Sequence, residues 1–160
     1  MAMDENAVQA VIMDLDGTML DTETTLKKVV LQILQQYDKA DGWDPNDFEG
    51  WGKQAMEACE DLVTQKALPI TASELLNLCE PMLQIEFRTC SIMPGVKRLV
   101  THLKDNGVKV AIVTSSSHKM FQVKQGDCPL KKAMFEGIDC VICADDVQKG
   151  KPDPEGYLKA

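Results

Sequence analysis

The stretch Val11-Ile12-Met13-Asp14-Leu15-Asp16-Gly17-Thr18-Met19-Leu20-Asp21-Thr22-Glu23 decides the reading of this chain. An apolar run, Ala10 to Met13, breaks off into two carboxylates one residue apart, followed at once by a glycine. Such a run predicts a strand buried on both faces, as in a parallel sheet. In extended chain, residues i and i+2 point to the same side, so Asp14 and Asp16 leave such a strand together. Gly17 lets the backbone turn immediately. Two carboxylates there can hold a divalent cation; beside it, an ionised Asp14 is an oxygen nucleophile for phosphorus. Asp16 is then placed to protonate a leaving alkoxide and deprotonate a water.

Two other readings compete. D-x-D-G also opens calcium loops of the EF-hand type, but the required glycine would fall at Met19 and the closing glutamate at Thr25, and a strand precedes the motif where a helix should. A merely solvated strand-to-turn corner is the plainer alternative. The rest of the chain counts against it.

A second apolar run, Val108 to Val113, ends in Thr114-Ser115-Ser116-Ser117. A hydroxyl at a strand end, followed by small residues with free amides, suits a phosphate oxygen. Further on, Gly150-Lys151-Pro152-Asp153-Pro154-Glu155 sets a lysine in a rigid turn, where an ammonium can neutralise developing phosphate charge. Taken singly, a Thr-Ser run is also a helix cap and a lysine is also a surface residue.

Together and in this order, the motifs resemble the haloacid dehalogenase-like (HAD) hydrolase superfamily over essentially the whole chain. The resemblance implies a doubly wound parallel α/β sheet, with Asp14 as nucleophile, Asp16 as acid and base, Thr114 as phosphate-binding hydroxyl and Lys151 as charge-stabilising lysine. It implies Mg²⁺ held through Asp14 and Asp16, and Ser115 and Ser116 beside the substrate. The presence of Asp16 separates the chain from the dehalogenase branch, which lacks the second aspartate and needs no metal.

Between the first motif and the second strand lies a long insert with helical periodicity. Leu26, Val29, Val30, Ile33 and Leu34 share one face, with Asp21 or Thr22 as cap. A second pattern uses Ala55, Met56, Cys59, Leu62 and Val63; a third uses Leu75, Leu76, Leu78, Cys79, Met82, Leu83 and Ile85. Asp41 to Asp47 is a turn-rich connection. Met93-Pro94-Gly95 returns the chain to the core, where Val96, Leu99, Val100 and Leu103 predict a helix over Val96 to Asn106 that stops at Gly107. The division expected is a core of residues 1–21 and 92–160 with a helical insert over 22–91. Such an insert resembles the cap of the first HAD subclass, a lid that excludes water during phosphoryl transfer. Gly50-Trp51-Gly52-Lys53 lies where such caps reach the site, making Lys53 the candidate substrate contact. Gly52-Lys53-Gln54 and the Thr-Ser-Ser motif look most like the branch holding pseudouridine-5′-phosphatase, flavin mononucleotide hydrolases and glycerol-phosphate phosphatases. Trp43 and Trp51 read as packing residues of the insert.

At 160 residues the chain is long enough to bury a core. Its formal charge of −8, from 17 basic and 25 acidic residues, disfavours a nucleic-acid partner. A bound Mg²⁺ and one or two lysines would offset that charge where an anionic phosphate binds. Met1 to Gln9 is polar, with no secretory pattern, and no apolar segment approaches the ~20 residues of a membrane span, so the cytoplasm is the expected location. Cys140-Val141-Ile142-Cys143 has metal or redox spacing, yet it sits in an apolar run with no second pair and reads as core.

In the family, a further strand after Lys151 carries an acidic pair that completes the metal site, and that strand lies beside the first one. Asp145-Asp146 precedes Lys151 and reads as a polar strand-to-loop corner. The expectation is an incomplete sheet lacking C-terminal strands, an exposed edge along Ala10 to Met13, and a chain that is a fragment, shortened isoform or incompletely read gene with impaired activity. The function expected is a Mg²⁺-dependent phosphomonoesterase acting on a small phosphorylated metabolite through an aspartyl-phosphate. A HAD phosphomutase and a non-catalytic HAD-like remnant that binds a ligand or partner are the alternatives.

Overall fold

The computed structural model describes residues 7–160. One sheet of three parallel strands forms in the order β1 (Ala10–Met13), β2 (Lys109–Val113), β3 (Cys140–Ile142). Ala10 pairs with Lys109 and Met13 with Ile112; Ala111 pairs with Cys140 and Val113 with Ile142. Parallel neighbours need long crossovers. The first holds α1 (Thr22–Gln36), α2 (Ala55–Lys66), α3 (Ala72–Glu86) and α4 (Val96–Asp105); the second holds α5 (His118–Gln125) and α6 (Pro129–Phe135). A short α7 (Glu155–Lys159) follows β3.

The doubly buried strand of this sheet is β2, not β1. Val110, Ala111, Ile112 and Val113 are all buried, whereas Ile12 is 39% exposed and Met13 only half-buried. The expectation for β1 is corrected for a topological reason: β2 has a neighbour on each side, and β1 has one among the described residues. What β1 lacks in burial its following loop supplies. Leu15, Met19 and Leu20 are fully buried, and Met19 N and Leu20 N both donate to Leu15 O, at 2.9 and 3.0 Å. Gly17, at φ +71°, makes the turn inside this loop. The alternation therefore holds through the motif, with Leu15 in the core and Asp14 and Asp16 on the opposite, solvent-reaching side.

Apolar side chains gather in two clusters. One surrounds the sheet and includes Leu15, Leu20, Val100, Ile112, Phe121 and Cys143. The other lies among α1, α2 and α3 and includes Val29, Ile33, Leu34, Leu62 and Leu75. Asp21 caps α1 by accepting from Thr24 N, and Thr71 with Glu74 forms a reciprocal capping box on α3. Met56, Leu78, Leu99 and Ile85, expected on apolar faces, are instead 39, 40, 43 and 71% exposed. Trp51 meets Phe48 edge-on at 4.7 Å between centroids and donates from Nε1 to Pro45 O at 2.7 Å. The chain passes between the clusters twice, side by side: Met93 N donates to Met19 O and Asp21 N to Ser91 O, both at 2.9 Å.

The polar corner at Asp145 and Asp146 is a clasp. Asp145 Oδ2 accepts from His118 N at 2.6 Å, and Asp146 Oδ2 accepts from Cys143 N at 2.8 Å. His118, Cys143 and Asp146 bring ligand-type atoms within 4.8 Å of one another. Burial, then Asp146 and Asp145, pushes the Cys143 thiol up to about 11, so it serves as a core hydrophobe. All six cysteines are free thiols. No helix of the described residues is long and apolar enough to cross a membrane.

Candidate active site

Three strand ends and two lysine-bearing segments converge. Asp14 and Asp16 follow β1, Thr114 and Ser116 follow β2, and Lys151 comes from the turn after β3. Lys151 Nζ donates to Asp14 Oδ1 at 2.6 Å. Thr114, buried, extends the ladder by donating from N to Ile142 O, and its Oγ1 donates to Asp16 Oδ2 at 3.3 Å. The expected quartet of Asp14, Asp16, Thr114 and Lys151 is therefore brought together.

The turn that carries Lys151 is clamped from behind. Glu155 at the start of α7 accepts from Gln148 N and Lys149 N, and its carboxyl is pulled down to about 2, first by Lys159 and then by those two amides. Gly156 lets α7 press onto the end of β2, since a Cβ there would stand 2.9 Å from Val113 Cγ1.

Three expected substrate contacts are placed differently from one another. Ser115 faces the cleft, with Oγ 3.5 Å from Gly52 O across it. Ser116 Oγ is turned inward and donates to Asp16 Oδ2 at 2.9 Å. Lys53 is directed away, its ammonium 2.6 Å from Asp61 Oδ2 on α2. Gln54, the residue before α2, lines a small cleft with Thr114, Ser115, Gly150 and Lys151. The insert thus meets the Lys151 turn through Gln54, while Lys53, in the turn before α2, pairs with Asp61.

One residue at the centre was not anticipated. Lys124, on α5, is 4% exposed, and its Nζ lies 2.6 Å from both Asp16 Oδ1 and Ser116 Oγ. Burial pushes the Asp16 carboxyl up, but the Lys124 ammonium, with hydrogen bonds from Lys124, Thr22 and Ser116, outweighs it and holds Asp16 below the usual carboxylate range. The sequence carried one trace of this: Lys124 falls three residues after buried Phe121, on the apolar face of its helix.

The donor set suits a small hard cation. The Asp14 carboxylate offers hard oxygen, and the main-chain carbonyl of Asp16 accepts no main-chain hydrogen bond among the described residues. Hard oxygens of this kind fit Mg²⁺, which keeps several waters when few protein ligands are offered.

Carboxylates and hydroxyls at the C-terminal ends of parallel strands, with a lysine from an adjacent loop, make this an α/β protein whose site lies where open sheets of this class bind ligands. The chain belongs to the haloacid dehalogenase-like hydrolase family, whose profile matches residues 11–160. It is 32% identical over 158 residues to (DL)-glycerol-3-phosphatase 1, mitochondrial, of Arabidopsis thaliana, covering 96% of this chain and 52% of that protein. It is 30% identical over 151 residues to the bifunctional riboflavin kinase/FMN phosphatase of the same organism, covering 94% of this chain and 38% of that protein. The chain thus spans about half the length, or less, of these curated relatives. Among solved structures, CbbY from Rhodobacter sphaeroides in complex with xylulose-(1,5)bisphosphate superposes with a TM-score of 0.75 at 18% identity, covering 96% of this chain and 71% of that one. That likeness concerns the fold, and it agrees with the parallel α/β arrangement expected from the sequence.

Proposed function

We propose that this chain carries the reaction centre of a Mg²⁺-dependent phosphomonoesterase acting on a small phosphorylated metabolite. The observation that carries the reading is the Asp14–Lys151 pair, in which one carboxylate oxygen is held by an ammonium and the other is left for the substrate. Asp14 attacks phosphorus through that oxygen, forming an aspartyl-phosphate while the bond to the leaving oxygen breaks. Asp16 rests ionised beside Lys124, so it takes up a proton from solvent before giving one to that oxygen; it then takes one from the water that hydrolyses the aspartyl-phosphate, which restores the protonated carboxyl for the next turnover. Lys151 and the Ser115 amide side of the cleft hold the phosphoryl oxygens, and Thr114 joins them by turning its Oγ1 proton from Asp16 to the phosphate. When bound, Mg²⁺ supplies Lewis-acid charge at Asp14 and the Asp16 carbonyl.

The reading assigns residues 22–91 the part of a lid over this centre. The paired passages at Met19–Asp21 and Ser91–Met93 support it, because a two-stranded neck between separate apolar clusters is a natural hinge. The glycerol-3-phosphatase and FMN phosphatase likenesses support a polyol or nucleotide-like monophosphate as substrate class. The six free thiols suit a reducing compartment, and we place the activity in the cytoplasm.

The 160-residue chain, incubated with Mg²⁺ and 4-nitrophenyl phosphate, is expected to release phosphate, and Asp14→Asn is expected to abolish the release. A wild-type chain without turnover, or an Asp14→Asn variant that retains it, overturns the reading. With a sugar bisphosphate, free inorganic phosphate as product supports hydrolysis, whereas an isomeric phosphosugar shows a mutase instead.

A further inference from the structure

We propose that Lys124 is a positioning residue for Asp16, holding its carboxylate at the angle from which it serves the leaving group; this rests on the hydrolase reading above. A lysine is almost never buried without a partner, because its charge must be compensated. Lys124 is 4% exposed, and the hydrogen bonds its ammonium donates all lead to one group. Its ammonium reaches Asp16 Oδ1 directly at 2.6 Å and Ser116 Oγ at 2.6 Å, and Ser116 Oγ in turn donates a hydrogen bond to Asp16 Oδ2 at 2.9 Å. Thr114 Oγ1 adds a further bond to Oδ2. Both oxygens of Asp16 are therefore gripped, and rotation of the carboxylate about its own bond would break two or three contacts at once.

The grip is itself braced. The Phe87 ring lies 4.7 Å from Lys124 Nζ, with Phe87 buried in the turn that returns the chain from α3 to the sheet. A second buried lysine, Lys131 on α6, donates to Lys124 O at 2.8 Å, to Arg88 O at 3.1 Å and to Phe87 O at 3.4 Å. One ammonium thus ties the helix end that bears Lys124 to the turn that bears its aromatic neighbour. Lys131 finds three main-chain carbonyls and no carboxylate in this group, while Lys124 finds the carboxylate. The two cations of the centre divide the work: Lys151 serves Asp14, and Lys124 serves Asp16.

A positioning role has a consequence that a purely stabilising ion pair lacks. Protonation of the leaving oxygen matters for an alkoxide and hardly at all for 4-nitrophenolate, so a mispositioned Asp16 penalises alkyl phosphates selectively. The experiment measures kcat and KM of the 160-residue chain with Mg²⁺ on ethyl phosphate and on 4-nitrophenyl phosphate, for wild type, Lys124→Met, Asp16→Asn and the double variant. Lys124→Met is expected to lower kcat on ethyl phosphate at least tenfold (roughly) more than on 4-nitrophenyl phosphate, with KM changed by less than about threefold. In the Asp16→Asn background the same substitution is expected to add nothing, because its path of action is gone. Lys124→Arg, which keeps a donor, recovers part of the lost selectivity. Equal losses on both substrates, or additive losses in the double variant, overturn the proposal. If Lys124→Met fails to fold, Ser116→Ala removes the indirect half of the grip, and it must shift the same substrate ratio in the same direction or the proposal falls. A wild-type chain inactive on both substrates overturns the hydrolase reading, and this inference with it; an active wild type with an unmoved ratio overturns this inference alone.

Discussion

Lys151 Nζ stands 2.6 Å from Asp14 Oδ1, although 137 residues of chain separate them. The contact brings a cation from the loop after the last strand onto the carboxylate at the end of the first. It leaves Asp14 with one oxygen held and one open, as the nucleophilic role proposed for it needs. Replacing Lys151 by Met removes the charge that offsets both Asp14 and the incoming phosphate. Turnover of 4-nitrophenyl phosphate should fall by ~10²–10³ in kcat, the size of effect seen when one preorganised electrostatic group is deleted. Steady-state kinetics check this, and a loss under about fivefold would remove Lys151 from the reaction centre.

Lys131 should matter for stability rather than for the chemistry. Its side chain is 3% exposed and donates to the carbonyls of Phe87, Arg88 and Lys124. Lys131→Met keeps the apolar stem and strands those acceptors, at a cost of about 2 kcal/mol. Urea unfolding monitored by circular dichroism reads the change directly. An unchanged midpoint would mean that water replaces the ammonium without loss.

Glu155 provides a pH-dependent clamp on the Lys151 turn. Its carboxyl is drawn down to about 2 by Lys159 and by the Gln148 and Lys149 amides, from an ordinary value of 4.5. A folded-state value below the unfolded one means that the contribution is fully present above the unfolded value and is lost as pH falls through the folded one. The clamp should hold at neutral pH, weaken below about 4.5 and be gone near 2. Carbon-13 titration of the Glu155 carboxyl tests the value. Lys159→Met should move the midpoint upward, and a wild-type midpoint already at the ordinary value would show that the clamp does not form.

Gly156 marks a close approach of α7 to the sheet. A Cβ would stand 2.9 Å from Val113 Cγ1, so Gly156→Ala forces either the helix or the end of β2 to shift. The expected cost is ~1–3 kcal/mol, the usual range for overpacking. Because Thr114 follows Val113 directly, a thermal melt combined with the 4-nitrophenyl phosphate assay should show lower stability and lower turnover together.

Local chemistry made much of this molecule readable in advance. Asp14 and Asp16 share a side because strand geometry alternates, and Leu15 between them is apolar; both facts are visible within three residues. Thr114 follows an apolar run, Asp21 precedes a helical stripe, and Lys151 sits between Gly150 and Pro152, each a signal confined to its own neighbourhood. The α/β core and the helical insert followed from apolar runs and helical periodicity, and the doubly wound parallel sheet from the family resemblance that the motifs carry.

What tertiary structure alone decided lies in contacts across the chain. The apolar run at β1 could not reveal that it has one neighbour while β2 has two, because strand order is a property of the sheet. Lys53 and Gln54 are adjacent, and which one faces the cleft depends on where the turn before α2 ends and on Asp61, one turn and more into that helix. Lys124 is the clearest case. In sequence it is a lysine on a short helix, 108 residues from Asp16; in the fold, α5 brings its ammonium to 2.6 Å from that carboxylate. Strand alternation and turn chemistry are set by neighbours along the chain, so the sequence by itself determined the two carboxylates and their shared direction. The partners that hold each carboxylate come from segments that meet only when the sheet and its crossovers are packed, and those the tertiary structure decided.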